Sequence, residues 1–309
     1  MAYVKKDFFI NESVKAWIFL VKELDCSQKI AQRIIDKRQL FCEDILVERK
    51  SQVVEGKISL LIYEPNPKGL IPVFENEYFA VFEKPSGVLT HPKNRNTEYS
   101  LNDEIKSLFG KDANVVHRLD KETSGLIVVS KQKGVEAKLK TLFESRDIEK
   151  GYVLLVKGEV RESFLIDESI LTNPNYENIK LKVYIDKMGK SSQTFIKPLE
   201  YFEDIDATFV EATPKTGRQH QIRVHMFHVK HSIIGDPLYG LNAAEGAKFL
   251  DGLMSEEERI KLSGAKRLLL HSHKIKFVFE NVEYGFFSEH NAKDEFYKLA
   301  KEAYKKPSI

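Results

Sequence analysis

Asp120 stands where a reactive group could lie at the edge of a folded core. It comes two residues after Arg118, which puts a carboxylate beside a guanidinium. Residues 121–125 (KETSG) are polar or small, and residues 126–129 (LIVV) form an apolar run typical of a strand buried on both faces. The loop before such a strand is expected at the rim of the core, where a cleft can form. From spacing alone, Asp120 is equally well a turn carboxylate or a reactive acid.

Two later segments carry further candidate residues. Tyr152 heads an apolar strand and follows Lys150 by two residues, and residues 216–225 (TGRQHQIRVH) contain Arg223. A tyrosine at the start of a strand is more often a core-edge residue whose hydroxyl is hydrogen-bonded. An arginine in such a segment is otherwise part of a surface salt bridge, worth about 0–1 kcal/mol. Neither residue alone identifies a reaction.

A histidine cluster offers a different chemistry. His220, His225, His228 and His231 fall within twelve residues, and the last three would share one face of a helix, where they could bind zinc. The cluster has no HExxH pattern, no cysteine pair and no acidic residue, so a zinc hydrolase is the weaker hypothesis. The glycines form neither a GxGxxG nor a Walker pattern. We therefore predict no metal, nucleotide or other cofactor.

The run from His117 to Lys131, HRLDKETSGLIVVSK, resembles the H-R-L-D-x-x-T-S-G signature of the RluA-type pseudouridine synthases. Lys150 and Tyr152 resemble that family's K-x-Y element, and HQIRVH resembles its next motif. The resemblance extends over about residues 70 to 280. It implies a cofactor-free isomerase that converts uridine in RNA to pseudouridine. The target base must be flipped out of its stack, at a cost of about a few kcal/mol.

The same resemblance assigns the chemistry to Asp120, Tyr152 and Arg223. Asp120 would be the catalytic carboxylate, and Arg223 its charge partner; a guanidinium within ~4–6 Å lowers the pKa of a carboxyl by about 1–3 units. Tyr152 would stack on the target base, which is the favoured role because a free pKa near ~10 hampers it as a base. Arg118 is implied to hold the opened RNA, and it could equally bind a phosphate. The residues expected to bind substrate lie in the same motifs: His117, Arg118, Arg218 and Gln221.

Three smaller features concern turns. Lys84-Pro85-Ser86-Gly87 and His91-Pro92 resemble the opening of the family's catalytic domain, and simple turn structure is the favoured interpretation of Lys84 and His91. Residues 173–175 (NPN) are a predicted loop. Residues 235–240 (GDPLYG) are predicted to form a turn.

The N-terminal part is predicted to be a small αβ domain. Residues 13–41 carry two helical patterns, with Ser13 and Ser27 as expected N-caps, and two strand-like pieces follow. One helical face is basic, which suits RNA. This part resembles the RNA-binding domain named after ribosomal protein S-four. It departs from that pattern at residues 38–40 (RQL), where the domain usually has a glycine after its second helix.

A linker is predicted at residues 64–69 (EPNPKG), because two prolines and a glycine continue neither helix nor sheet. The predicted domains are residues 1–66, for RNA binding, and residues 67–309, for catalysis. Many strand patterns with few helices between them predict a mixed, mainly antiparallel sheet with a central cleft. The expected fold class is therefore α+β.

Composition indicates which partners and which cellular compartment to expect. The 309 residues include 48 Lys or Arg and 46 Asp or Glu, so overall charge gives no argument for a nucleic-acid partner. Two cysteines, Cys26 and Cys42, make no disulfide framework and fit a reducing cytosol. The N-terminus lacks the apolar region of a signal peptide, and no apolar stretch reaches ~18 residues. We expect a cytoplasmic monomer that contacts no membrane.

RNA is the predicted partner, and no protein partner is predicted. Members of the family modify large-subunit ribosomal RNA or transfer RNA. The N-terminal domain favours ribosomal RNA, because that domain usually accompanies ribosomal targets in the family. The alternative class is a non-catalytic RNA-binding protein of ribosome assembly. The unsubstituted motif positions around Asp120, Tyr152 and Arg223 speak against it.

Overall fold

The computed structural model describes residues 3–145, 147–172 and 182–305. The chain divides into two compact units: Met1–Lys68 with Pro92–Ser107, and Gly69–His91 with Leu108–Ile309. The N-terminal unit thus includes a segment that comes after the predicted linker. Compact units are not by themselves independent domains, so the domain boundary predicted between residues 66 and 67 stays a prediction. The loop predicted at residues 173–175 lies outside the described residues.

The N-terminal unit contains a four-stranded antiparallel sheet in the order β1-β4-β2-β3. Its elements are β1 (Tyr3–Lys15), α1 (Ala16–Leu24), α2 (Gln28–Asp36), β2 (Leu40–Cys42), β3 (Ile45–Leu46) and β4 (Val53–Tyr63). Most of helix α3 (Leu101–Phe109) also belongs to this unit. Leu20 of α1, Ile35 of α2 and Leu60 of β4 lie in one buried cluster. Burying each large apolar side chain contributes about 1.5–3 kcal/mol.

The structure tests the two predicted helix N-caps of this unit, Ser13 and Ser27. Ser27 Oγ accepts a hydrogen bond from the backbone N–H of Ile30 at 3.4 Å, so Ser27 is the N-cap of α2 as predicted. Ser13 is not a cap, and that prediction was wrong. Strand β1 continues past it to Lys15, because β4 supplies backbone partners as far as the end of β1.

The second unit contains most of the remaining elements. Its strands are β5 (Phe74–Glu75), β6 (Phe79–Lys84), β7 (Asn114–Val115), β8 (Ser124–Ser130), β9 (Ile148–Lys157), β10 (Phe164–Asp167), β11 (Ile170–Thr172), β12 (Val183–Ile185), β13 (Gln193–Phe202), β14 (Ala207–Pro214), β15 (Leu270–Phe279) and β16 (Val282–Phe287). Its helices are α4 (Lys133–Ser145), α5 (Gln221–His228), α6 (Ala243–Leu250), α7 (Glu256–Ser263) and α8 (Ala292–Lys305), with a 3₁₀ turn at Glu203–Ile205.

A ten-stranded sheet forms the centre of this unit. Its order is β10-β13-β14-β9-β15-β8-β6-β5, with β16 on β15 and β7 on β8. The pair β8–β15 is parallel, and the other pairs among the described residues of this sheet are antiparallel. Strands β11 and β12 form a separate antiparallel pair. The fold is therefore α+β with a mainly antiparallel sheet, as predicted.

Two helices cover opposite faces of the sheet. On β9, Leu154 packs in one cluster with Met226 of α5, whereas Leu155 packs in another with Phe296 of α8. Successive strand residues point to opposite faces, so α5 and α8 lie on opposite sides of β9. In the described part of the chain, no helix is both long and apolar enough to cross a lipid bilayer.

Strand β8 leads from the loop that carries Asp120 into the core, and all seven of its residues are buried. At the start of β8, Gly125 pairs with Ser272 of the parallel strand β15. Gly125 has φ +107°, and a Cβ at this position would lie 2.3 Å from the Ser272 carbonyl oxygen. Only glycine allows this approach, which fixes the backbone five residues after Asp120.

Candidate active site

The loop with Asp120 is held by the turn that follows β6. The buried ammonium of Lys84 donates to the carbonyl oxygen of Lys121 at 3.1 Å and to two carbonyls of its own turn. Thr90 Oγ1 donates to the carbonyl oxygen of Leu119 at 3.0 Å. Backbone on both sides of Asp120 is therefore fixed. Burial lowers the pKa of Lys84 to about 7, and its carbonyl partners agree with the turn role favoured for it.

Arg223 lies between two carboxylates. Its Nη1 donates to Oδ2 of Asp120 at 3.1 Å. Its Nε and Nη2 donate to the two oxygens of Asp236 at 2.7 and 2.8 Å, a bidentate pair. The Arg223 and Asp236 side chains are 3% and 1% exposed, whereas that of Asp120 is 27% exposed. The structure thus brings Asp120 and Arg223 into contact and adds a second carboxylate, Asp236.

This arrangement keeps Asp120 ionised at neutral pH. Burial alone raises the pKa of Asp120, but the fields of His220 and Arg223, the hydrogen bond from Arg223 and the charge of Arg118 hold it below its usual value. Burial alone lowers the pKa of Arg223, but Asp236 and Asp120 raise it above its ordinary value. Both charges are stable because each partly compensates the other's loss of water.

Tyr152, near the middle of β9, lines the same cavity as Asp120. Burial, followed by the negative charge of Asp120, raises the pKa of Tyr152 to about 12; a hydrogen bond with Ser272 acts in the opposite direction. The phenol is therefore protonated at neutral pH. A protonated phenol at the cavity wall agrees better with stacking on a base than with proton abstraction.

His117 has a fixed ring at the cavity wall. Its Nε2 accepts a hydrogen bond from the backbone N–H of Val128 at 3.0 Å, and its ring stacks on Phe143 with centroids 4.2 Å apart. Burial, with a smaller contribution from Lys150, lowers the pKa of His117 to about 3. The neutral ring therefore joins the loop of Asp120 to β8 and α4. Its predicted contact with substrate stays a prediction.

Gln221 uses its whole amide inside the protein. Its Oε1 accepts from Thr216 Oγ1 at 2.6 Å and from the backbone N–H of Arg218 at 3.0 Å. Its Nε2 donates to the Gln193 carbonyl oxygen at 2.9 Å and to Thr194 Oγ1 at 3.0 Å. These four bonds hold the turn that precedes α5. The predicted contact of Gln221 with substrate is not among them.

The cavity has a volume of about 610 Å³ and a basic wall. Arg118 and Arg218 line it, and Arg218 Nε donates to the Ser191 carbonyl oxygen at 3.4 Å. Lys150 also lines it, and burial lowers the pKa of Lys150. Among the residues that the structure describes, no carboxylate forms an ion pair with Arg118, Lys150 or Arg218. These cations are therefore available to an anionic ligand such as RNA.

The histidine cluster takes separate partners. His225 Nδ1 lies 2.9 Å from Thr194 Oγ1, His228 faces the Glu168 carboxylate at 3.8 Å, and His231 Nδ1 lies 2.9 Å from the carbonyl oxygen of Lys157. Within residues 3–145, 147–172 and 182–305, no three His, Cys, Asp or Glu side chains are grouped to hold a metal ion. The geometry gives the zinc hypothesis no support.

Three residues next to Asp120 and Arg223 escaped prediction as members of this site. Asp236 and Tyr239 were expected only within a turn, and His220 was considered only as a zinc ligand. The available signal was one acidic residue in an otherwise apolar turn, thirteen residues after Arg223. Their grouping depends on how the turn folds against α5, which local sequence does not specify.

The fold is that of pseudouridylate synthase domains. The solved structure titled Human RNA Pseudouridylate Synthase Domain Containing 1 has a TM-score of 0.59 at 20% identity, over 80% of this chain and 99% of that one. Human RNA Pseudouridylate Synthase Domain Containing 4 has a TM-score of 0.57 at 21% identity, over 74% of this chain and 92% of that one. At such identities the likeness establishes the fold.

Sequence comparison establishes the family. The family described as RNA pseudouridylate synthase matches residues 78–228. An "Uncharacterized RNA pseudouridine synthase" of Helicobacter pylori strain J99 is 40% identical over 290 residues, 93% of this chain and 96% of the relative. Ribosomal large subunit pseudouridine synthase D of Escherichia coli K12 is 30% identical over 225 residues, 69% of this chain and 68% of the relative. The chain belongs to the RNA pseudouridylate synthase family.

This membership confirms the predicted family and the predicted enzyme class, an isomerase that converts uridine in RNA to pseudouridine. The resemblance of residues 1–66 to the S-four type of RNA-binding domain stays a prediction. So do the roles assigned to Asp120, Tyr152 and Arg223, although the structure places all three around one cavity.

Proposed function

We propose that this protein isomerises a specific uridine of large-subunit ribosomal RNA, with Asp120 as the catalytic carboxylate. The observation that carries the proposal is the contact of Asp120 with Arg223, itself held by buried Asp236. It keeps a carboxylate charged at the wall of a cavity that is large enough for a nucleotide. Ribosomal RNA is favoured because relatives in Escherichia coli and Xylella fastidiosa carry the name ribosomal large subunit pseudouridine synthase D.

Ionised Asp120 has two routes to the same product. It either attacks carbon 1′ of the target ribose or removes a proton from carbon 2′. In both routes the bond from carbon 1′ to N1 of uracil breaks, and its electron pair moves to the ring. The ring turns and carbon 5 bonds to carbon 1′; in the first route this breaks the ester bond between Asp120 and carbon 1′, and in the second the proton returns from Asp120 to carbon 2′. Carbon 5 then loses its proton, and N1 gains one. Asp120 is regenerated at the end of the cycle, so no cofactor is consumed.

The remaining residues position Asp120 and the substrate. Arg223 holds the reactive carboxylate in place and in its charged form. Tyr152 stacks on the flipped uracil, and Arg118 and Arg218 bind the RNA backbone around it. His117 and Gln221 line the pocket and bind substrate as part of the wall that the nucleotide contacts, which substitution of each tests.

We further propose that residues 1–66 act as an RNA-binding domain and residues 67–309 as the catalytic domain of a cytoplasmic monomer. The two compact units support a two-domain organisation, in which residues 92–107 belong to the N-terminal unit, and two cysteines without a disulfide fit a reducing compartment. Gel filtration with light scattering tests the monomer. A dimer would contradict this part of the proposal.

The central experiment compares wild type with Asp120→Asn and with Asp112→Asn, an exposed aspartate eight residues away. Each protein is incubated with [5-³H]uridine-labelled transcripts of large-subunit ribosomal RNA and of transfer RNAs. Tritium release measures turnover, and carbodiimide-primer extension maps the product. We expect wild type and Asp112→Asn to be active on ribosomal RNA, and Asp120→Asn to be slower by at least about a thousandfold.

Each outcome decides one part of the proposal. Activity on transfer RNA alone would replace the substrate and keep the chemistry. Full activity of Asp120→Asn would remove the catalytic role of the carboxylate. An inactive wild type that binds ribosomal RNA and restores ribosome assembly in a deletion strain, equally well with and without Asp120, would indicate a non-catalytic assembly protein.

A further inference from the structure

His220 holds a backbone conformation that side-chain-bearing residues rarely adopt. It lies between the 216–219 turn and α5 with φ +52° and ψ +21°, and its side chain makes no capping bond to α5. Such a left-handed residue is strained and persists only where its surroundings fix it. The ring of His220 is 8% exposed and lines the cavity. Its conformation points that ring at Asp120.

Two groups address the same oxygen of Asp120. Arg223 Nη1 donates to Oδ2 at 3.1 Å, and His220 Nε2 lies 3.7 Å from that same Oδ2. At 3.7 Å the interaction is electrostatic attraction rather than a full hydrogen bond. In the described part of the chain, no hydrogen bond or ion pair reaches Oδ1 of Asp120. The two oxygens of the carboxylate are therefore not equivalent.

Tyr239 contacts the other nitrogen of the His220 ring. The Tyr239 hydroxyl lies 3.2 Å from Nδ1, and the two rings are perpendicular with centroids 5.8 Å apart. The same hydroxyl accepts a hydrogen bond from the backbone N–H of Val183 at 3.0 Å and lies 3.3 Å from the Val183 carbonyl oxygen. Tyr239 is 2% exposed. In the described structure its hydroxyl proton therefore has two acceptors, Nδ1 of His220 and the carbonyl oxygen of Val183.

The negative charge of Asp120 determines whether the Tyr239 hydroxyl donates to Val183 or to Nδ1 of His220. If Tyr239 donated to Val183, Nδ1 of His220 would carry the ring proton, and the Nε2 lone pair would face an anion. If Tyr239 donates to Nδ1, the ring proton lies on Nε2 and points at Asp120. The second arrangement is attractive and the first repulsive. Tyr239 and Asp120 together therefore select the tautomer of His220 that is protonated on Nε2.

We propose that Tyr239 and His220 form a positioning pair that holds Asp120 through Oδ2 and leaves Oδ1 as the oxygen that reacts with the ribose. This inference rests on the proposed catalytic role of Asp120. Arg223 supplies the full positive charge, and His220 supplies a neutral N–H whose direction Tyr239 fixes. Tyr239 acts through His220 and does not itself touch the substrate.

His220 serves as a neutral donor rather than a cation. The charged and titratable groups that face it are Asp120, Asp236, Arg223, Arg118 and Tyr239. Burial, and next the charge of Arg223, lower the pKa of His220 to about 4, against the opposing effect of the two carboxylates. Turnover should therefore show no inflection near pH 6.5, the ordinary value for histidine.

The test is a cycle of substitutions in the full-length protein. Glutamine at residue 220 keeps a neutral N–H donor that does not need Tyr239, and leucine keeps volume without a donor. We expect His220→Leu to lower the single-turnover rate about 100-fold and His220→Gln about 3-fold. Tyr239→Phe should lower the rate about 10-fold when His220 is unchanged, and less than about 2-fold when it is combined with His220→Gln.

Rates are measured at saturating enzyme on a [5-³H]uridine-labelled transcript of large-subunit ribosomal RNA, and RNA affinity is measured by filter binding. Circular dichroism melting confirms that each variant is folded. Equal losses from Tyr239→Phe in both backgrounds would show a merely structural tyrosine and overturn the pair. So would a His220→Gln rate as low as that of His220→Leu, or a His220→Leu rate equal to wild type.

The same transcript separates this inference from the function on which it rests. If wild type releases no tritium from ribosomal or transfer RNA transcripts, the proposed function fails. If wild type is active and Asp120→Asn is inactive, the function holds, and the His220 and Tyr239 variants alone decide the positioning pair. If His220→Leu does not fold, the cycle of His220→Gln with Tyr239→Phe still decides it.

Discussion

Two regions of the cavity, called here the floor and the rim, differ in whether their positive charges are paired with carboxylates. The floor is defined as three residues that line the cavity, Asp120, His220 and Arg223, with two residues that contact them, Asp236 and Tyr239. The rim is defined as Arg118, Lys150 and Arg218, which also line the cavity. In the floor, one guanidinium contacts two carboxylates and is almost fully buried. At the rim, three cations line the same cavity, and within the described residues none of them is ion-paired to a carboxylate.

The difference separates chemistry from binding. Charges that stabilise a reacting group are useful when they are fixed before the substrate arrives, since no reorganisation is then needed during reaction. Charges that bind RNA are useful when they are free to exchange counterions for phosphates. Substitutions in the floor should therefore change turnover, and substitutions at the rim should change affinity and its dependence on salt.

After Asp120 itself, the largest expected effect on turnover comes from Asp236, a floor residue that the sequence did not reveal. Asp236→Asn removes the negative charge that orients Arg223, so we expect kcat to fall about 100-fold with little change in RNA affinity. The melting temperature should also fall, because a buried guanidinium loses half of its compensation. Single-turnover kinetics and calorimetry measure the two effects.

A matched control is Asp204→Asn, which removes one carboxylate from an exposed ion pair with Lys301. Its activity and melting curve should equal those of wild type, because exposed pairs contribute little. If Asp236→Asn also kept full turnover, Arg223 would not need a second carboxylate, and the floor would lose its distinction from the rim.

At the rim we expect a smaller effect of a different kind. Arg118→Ala and Lys150→Met should each raise KM about 5- to 10-fold and lower kcat less than about 3-fold. Each should also reduce the magnitude of the slope of log affinity against log salt by about one. Filter binding between 50 and 200 mM salt, about the range where such slopes are measured, tests this. A lower kcat at unchanged affinity would place the residue in the floor.

The neutral histidine of the floor predicts a pH-dependent stability. The pKa of His220 is about 4 in the folded protein and about 6.5 when unfolded, so between these values the unfolded chain binds the additional proton. Its contribution to stability is present above pH 6.5 and is lost as pH falls towards 4. Between pH 7 and 5, the free energy of unfolding measured with urea should depend less steeply on pH for His220→Gln than for wild type. The difference in slope should be up to about 1.4 kcal/mol per pH unit. Parallel curves for the two proteins would contradict this.

The smallest effect is expected from a cation that lines the cavity but is already paired. Lys140 forms an ion pair with Glu136 one turn away on α4. Because that carboxylate competes with phosphate, Lys140→Met should raise KM less than about 2-fold. A tenfold increase would show that exposure, rather than the absence of a carboxylate, decides which cations bind RNA.

Motifs and local patterns made several parts of this structure predictable. The contiguous runs around Asp120 and Arg223 identified the two residues that meet at 3.1 Å, and the apolar run after Asp120 identified a wholly buried strand. The cap at Ser27 followed from local chemistry, which depends on neighbours in sequence. These features share one property: their partners are close in the chain or are marked by a long motif.

Other parts depend on distant neighbours and could not be read in this way. Strand β1 has many polar residues and no regular alternation, and it exists because β4 pairs with it along most of its length. Asp236 becomes an anchor only after its turn packs against α5. The predicted substrate role of Gln221 could not anticipate that four internal hydrogen bonds would use its amide.

The segment 92–107 limits how proteins of this kind can be recombined. Its Asp103 is fully buried and accepts a hydrogen bond from the Tyr63 hydroxyl at 3.0 Å. A chimaera joined at residue 67 would combine a foreign N-terminus with this native carboxylate and remove the two donors to its Oδ1, the Tyr63 hydroxyl and the backbone N–H of Asn66, leaving only the Ser100 bonds to Oδ2. Functional chimaeras should therefore require exchange of residues 1–68 and 92–107 together, so that inheritance of the N-terminal unit involves two separate stretches of the gene.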